Sequence, residues 1–94
     1  MKIVIYIYDG LTMLDAIGPY EVLRNLPDVE VKFVAEKKGE ITADSKFVHL
    51  NARFSIDEVS KADILVIPGS AITFLREIQN VRVMKWIKRI SQTT

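Results

Sequence analysis

Two acids, Asp15 and Glu21, and one tight turn, Pro68-Gly69-Ser70, are the places in this chain where residue type and position could do chemistry. Asp15 is flanked by Leu14, Ala16 and Ile17, so partial burial is expected. A half-buried carboxyl beside a cleft resists ionisation and can act as a general acid or base. The competing reading is a helix cap, because Asp is a favoured residue there; local sequence alone prefers the cap. Glu21 follows on roughly the same face once a kink at Gly18-Pro19 is allowed for. Local sequence reads it first as a solvated or ion-paired helix residue. At Gly69 the glycine permits a positive φ and close approach of a ligand to the backbone. Amide N–H groups of such a turn can cradle an oxyanion. An ordinary strand-to-helix turn explains the same three residues, and local sequence prefers that too.

Other chemistries find little support. Ser70 could be a nucleophile, but no histidine or lysine base stands beside it. His49 is the single histidine, in an alternating segment with Phe47 and Leu50. With no further ligands clustered near it, it reads as a strand histidine, and no metal site is expected. The chain has no cysteine, hence no disulfide, no thiolate metal site and no thiol nucleophile of its own. It has no GxGxxG turn and no P-loop. The core strand ends in Pro-Gly rather than an acceptor carboxylate, which argues against a phosphoacceptor receiver domain.

These residues need elements to hold them. Lys2 to Tyr8 is β-branched and aromatic and is closed by Asp9-Gly10; it reads as a central strand, apolar on both faces. A helix follows, Thr12 to Asn25, broken or kinked near Gly18-Pro19, with Val22 and Leu23 on its core side. Glu30 to Ala35 is a second strand. Glu40 to Ala43 and Phe47 to Asn51 form a hairpin around Asp44-Ser45. Ser55-Ile56-Asp57-Glu58 has the form of a capping box and predicts a brief helix ending near Lys61. Ile64 to Ile67 is the most apolar strand. Ile72 to Gln79 and Val81 to Ile90 read as helices, the second with Val83, Ile87 and Ile90 on one face. Its basic residues, Arg82, Lys85, Lys88 and Arg89, read as a solvated face suited to a helix C-terminus.

The pattern is α/β with a mainly parallel sheet and a small inserted hairpin, all within one domain over residues 1–94. A net charge of +1 gives no long-range field, so neither a nucleic-acid nor a membrane partner is expected. The short apolar start lacks the form of a secretory signal, and a cytoplasmic protein is expected. In a parallel sheet the helices after Ile64–Ile67 should lead to another strand. Without it that apolar strand keeps an open edge, an aggregation hazard. The expectation is an incomplete domain, with the remainder of the domain as its first partner.

Tyr8-Asp9-Gly10, Leu14-Asp15, Gly18-Pro19 and Glu21-Val22 resemble the opening signature of the ThiJ/PfpI family, and the isonitrile hydratase-like branch in particular. Ile64-Leu65-Val66-Ile67-Pro68-Gly69 resembles that family's strand and oxyanion turn. The resemblance implies a flavodoxin-like fold, a parallel sheet sandwiched by helices, of about twice this length and related to class I glutamine amidotransferases. It implies a catalytic cysteine on an elbow beyond Thr94, with Asp15 as its acid partner. Gly69 and Ser70 would line the substrate or oxyanion pocket, though Ser70 stands where many relatives have a second glycine. Gly18 and Glu21 would support Asp15 from behind. The implied function is cysteine-dependent hydratase or amidase-type chemistry on a small-molecule substrate, without a cofactor, in a homodimer. A non-enzymatic small-molecule sensor or a thiol stress-response module of the same family is the alternative.

Overall fold

The computed structural model describes residues 1–70 and 73–94. β1 (Lys2–Tyr6) is buried from Ile3 onward and sits inside a parallel sheet of order β5-β2-β1-β6. β2 (Glu30–Ala35) pairs along one side of β1, with Ile5 beside Phe33 and Tyr6 beside Val34. β6 (Ile64–Val66) pairs along the other, with Ile5 beside Val66. A run without charged side chains from Ile3 onward suits a strand covered on both faces. Its carboxyl end continues extended: Ile7 N–H still donates to the Val34 carbonyl at 2.7 Å, and Tyr8 is buried.

The helices cover opposite faces. α1 (Met13–Leu23) presents Met13, Ala16, Tyr20 and Leu23, a helical stripe, to the core. Its Tyr20 packs on Phe33, with ring centroids 5.3 Å apart. α3 (Val81–Ser91) buries Val83, Trp86 and Ile90, with Ile87 packed beside them. Its Trp86 lies against Tyr6 at 5.7 Å. Phe33 and Tyr6 alternate across the paired strands, so α1 and α3 flank the sheet. Asn80 caps α3 by accepting from Val83 N–H. The basic face is solvated at Lys85, Lys88 and Arg89, while Arg82 pairs with Glu36 and Asp57.

Three expectations need correction. α1 is not broken at Gly18-Pro19: the helix runs through Pro19. An unbroken helix fixes the phase set by Met13, Ala16, Tyr20 and Leu23, which turns Val22 outward, 72% exposed, away from the core side expected for it. Ser55-Glu58 does close reciprocally: Ser55 N–H donates to Glu58 Oε1 at 3.1 Å, and Glu58 N–H donates to Ser55 O at 3.0 Å. It closes a turn rather than a helix, because Phe54–Ser55 is a short strand, β5, paired parallel to β2. Ile56 N–H then goes to Ala35 O, and Ile56, Val59 and Ala62 are drawn into the core.

The hairpin is β3 (Gly39–Thr42) and β4 (His49–Ala52), a separate antiparallel pair in the register Thr42 beside His49. α2 spans Thr73–Ile78; the expected start at Ile72 lies outside the described residues. β6 is the sheet's outer strand, with its three residues half-buried and Ile67 exposed. No helix among the described residues is long and apolar enough to cross a membrane.

Trp86 fastens α3 to the core twice, by its ring and by Nε1–H donating to the buried Val59 carbonyl at 2.7 Å. Trp86→Phe strands that carbonyl and leaves a void, so unfolding free energy should fall by about 2–3 kcal/mol. Urea unfolding of both proteins measures it; a loss under about 0.5 kcal/mol would count against this anchoring.

Candidate functional site

Ligands of open parallel sheets sit outside the carboxyl ends of the strands. Here the ends of β1 and β6 meet the first turn of α1. Gly10, at φ 88, turns the chain out of β1. The hairpin holds that turn: Asp9 Oδ1 accepts from Thr42 N–H at 2.9 Å, and Gly10 N–H donates to Thr42 O at 2.8 Å. Leu11 is buried beneath it. Thr12 N–H then donates to Gly69 O at 2.8 Å, tying the start of α1 to the turn after β6.

Asp15 closes the loop. Its Oδ2 accepts from Gly69 N–H at 3.3 Å. The carboxylate lies in the first turn of α1, where the free N–H groups and the helix dipole favour negative charge. It is not the cap residue that local sequence preferred, since Thr12 holds that position. Nor is it half-buried: Asp15 is exposed, and so is Leu14, because only Ala16 of its neighbours turns fully inward. Gly69 does not need a positive φ; such values among glycines occur at Gly10 and Gly39. What it provides is closeness. A Cβ on Gly69 would lie 3.3 Å from Asp15 Oδ2, tighter than ordinary van der Waals contact. Its N–H points at the acid.

Tyr8, in sequence a strand residue and part of a signature, belongs to the same constellation. It is buried, and its hydroxyl donates to the Pro68 carbonyl at 2.7 Å. Burial pushes its phenol up, while a hydrogen bond with Ser70 pulls the other way. The clue in the sequence was a hydroxyl-bearing ring at the carboxyl end of an otherwise apolar strand.

The structure thus brings Asp15, Gly69 and Ser70 together with Tyr8. Glu21 is not among them. At about 100° per residue, six positions along an unbroken helix carry it a third of a turn away from Asp15. It is exposed and paired with Arg24 at 3.1 Å. Gly18 makes no tight approach, since a Cβ there would meet only Leu14 Cδ1 at 3.9 Å. His49 lies on the hairpin surface, 3.1 Å from Thr42 Oγ1 and 3.5 Å from Glu40. No group of three or more potential ligands among the described residues could hold a metal.

A cleft of about 390 Å³ lies beside this site, lined by Tyr8 and Asp9 but not by Asp15, Gly69 or Ser70. Its polar groups satisfy one another. Tyr6 hydroxyl donates to Glu77 at 3.2 Å, Asn80 Nδ2 to Glu36 at 2.9 Å, and Arg76 to the Asp9 carbonyl at 3.4 Å. Burial raises the Glu77 carboxyl, with Glu36 and Asp9 adding to the effect, against the Tyr6 bond and Arg76. Burial raises Tyr6 as well, followed by the Glu77 charge.

A carboxyl raised in the folded state contributes its full stability below the ordinary glutamate value, and that stability is lost as pH rises through the raised value. Glu77→Gln removes the ionisation and keeps an acceptor for Tyr6. Thermal unfolding from about pH 4 to pH 8 should show the variant gaining on the wild type as pH rises. A constant difference across that range would disprove the assignment.

Residues 1–93 match the profile of the DJ-1/PfpI family. Isonitrile hydratase of Pseudomonas putida is 30% identical over 71 residues, covering 76% of this chain and 31% of that protein. A ThiJ/PfpI family protein of Pseudomonas syringae has the same fold, with a TM-score of 0.92 at 17% identity, over 99% of this chain and 38% of its own. So does a DJ-1 superfamily protein of Salmonella typhimurium, with a TM-score of 0.84 at 19% identity, over 97% and 50%. The chain therefore spans a third to a half of the length of these relatives.

Proposed function

This chain belongs to the DJ-1/PfpI family, and from that premise we propose that it supplies the acid and the oxyanion turn of a cysteine-dependent enzyme with isonitrile hydratase-like chemistry. The observation that carries the reading is the Asp15 carboxylate, exposed at the carboxyl ends of β1 and β6 and joined to the Gly69 amide. An acid there is accessible to a substrate and held in place by backbone. The chain has no cysteine, so the thiol comes from polypeptide beyond Thr94, on a strand that pairs with the free edge of β6.

In this reading one water adds to an isonitrile. Its oxygen bonds to the terminal carbon, and its two protons end on that carbon and on nitrogen, giving an N-substituted formamide. Asp15 carries a proton between water and the reacting carbon. The bond from Gly69 N–H to Asp15 is long, so the amide is readily surrendered to charge developing on the bound substrate. Ser70 shapes the wall of the turn.

Asp15→Asn in the complete protein should lower turnover of an alkyl isonitrile at least about a hundredfold. The melting temperature should move by no more than about 2 °C, since Asn has the same shape and keeps an oxygen for the Gly69 amide. Unchanged turnover would remove Asp15 from the chemistry. Binding without turnover in the wild type would favour a non-enzymatic sensor of the same family.

A further inference from the structure

The turn that carries Gly69 lies past the end of the sheet ladder. β6 follows β1 only as far as Val66 beside Ile5, and Ile67 is exposed. Residues 68–70 therefore depend on other contacts for their position. Two are backbone-borne: Thr12 N–H to Gly69 O, and Gly69 N–H to Asp15. The third comes from one buried oxygen, the phenol of Tyr8, which donates to the Pro68 carbonyl at 2.7 Å.

We infer that Tyr8 is a positioning residue whose phenol clamps Pro68 and so holds the Gly69 amide against Asp15. The inference rests on the reading of Asp15 and Gly69 as the site. A phenol has one proton, and here it goes to the Pro68 carbonyl. The oxygen is well fixed, because the Tyr8 ring stacks on Tyr6 at 5.9 Å and Tyr6 lies against Trp86. A rigid aromatic stack thus sets the height of the turn after a different strand.

The test reads the Gly69 amide of the full-length, ¹⁵N-labelled protein at one neutral pH. Asp15→Asn, which removes the charge that this N–H faces, should shift the amide. In a Tyr8→Phe background the same Asp15→Asn step should shift it at least threefold less, while amides of β1 and β2 keep their wild-type positions. The wild-type Tyr8 hydroxyl proton should be protected from exchange, and serves as the measure should Tyr8→Phe fail to fold. A full shift in a folded Tyr8→Phe, or a freely exchanging Tyr8 hydroxyl, would overturn the clamp, as would a wild-type Gly69 amide indifferent to Asp15→Asn. Failure of the functional reading looks different: Asp15→Asn would keep its turnover while the amide coupling stood.

Discussion

Pairing on both edges leaves β1 with apolar side chains pointing alternately into two layers, and each layer must be filled. α1 fills one through Ala16 and Tyr20, and α3 fills the other through Trp86. Burial of this kind is the dominant favourable term in folding. It also has a geometric product. A strand locked by neighbours on four sides delivers its carboxyl end to one place, and whatever follows Tyr6 inherits that precision. Tyr8, Asp9 and Gly10 follow it, and the hairpin and the turn after β6 are both hydrogen-bonded to that short segment.

Two polar constellations flank it, and they differ in kind. Around Glu77 the groups are half-buried and mutually satisfied; Tyr6, Asn80 and Arg76 each give a hydrogen bond within the cluster. Such a network fixes α2 and the start of α3 on the sheet and has little left to offer a ligand. Around Asp15 the arrangement is open. One carboxylate oxygen takes one long backbone bond, and the side chain is otherwise in solvent. On the proposed function, chemistry belongs where a charged group is held but not spent. That contrast, rather than the size of the neighbouring cleft, separates the two.

Strand and helix order were legible because β-branched runs and helical stripes carry their own periods. That Asp15 and Gly69 lie together was legible only through the signature they sit in; local chemistry points to a cap and an ordinary turn. What failed did so for definite reasons. The proline at 19 suggested a break, yet tertiary packing of Met13, Ala16, Tyr20 and Leu23 carries the helix through it, and Glu21 loses its place beside Asp15 as a result. The capping box formed one of its bonds, Ser55 N–H to Glu58, without forming a helix, because Glu58 N–H turns to the Ser55 carbonyl and strand pairing claims Ile56 N–H. Tyr8 was hidden because nothing local says where a buried hydroxyl finds its acceptor, 60 residues away in sequence.

The free edge of β6 and the open side of Asp15 are linked by geometry. β6 is half-buried although its residues are apolar, and Ile67 continues the exposure up to the turn that holds Gly69. An apolar edge of this kind calls for a partner strand. On the proposal that a further strand pairs there in parallel, its carboxyl end arrives beside the carboxyl end of β6, hence beside Pro68-Gly69-Ser70. One pairing event then does two things: it covers the edge, and it brings the next strand's terminal residues against the acid. A thiol placed there approaches a carboxylate that is exposed in this chain and would be enclosed in the complete domain. Enclosure strengthens every charge interaction of Asp15, so the same burial that protects β6 is what would make Asp15 an effective acid.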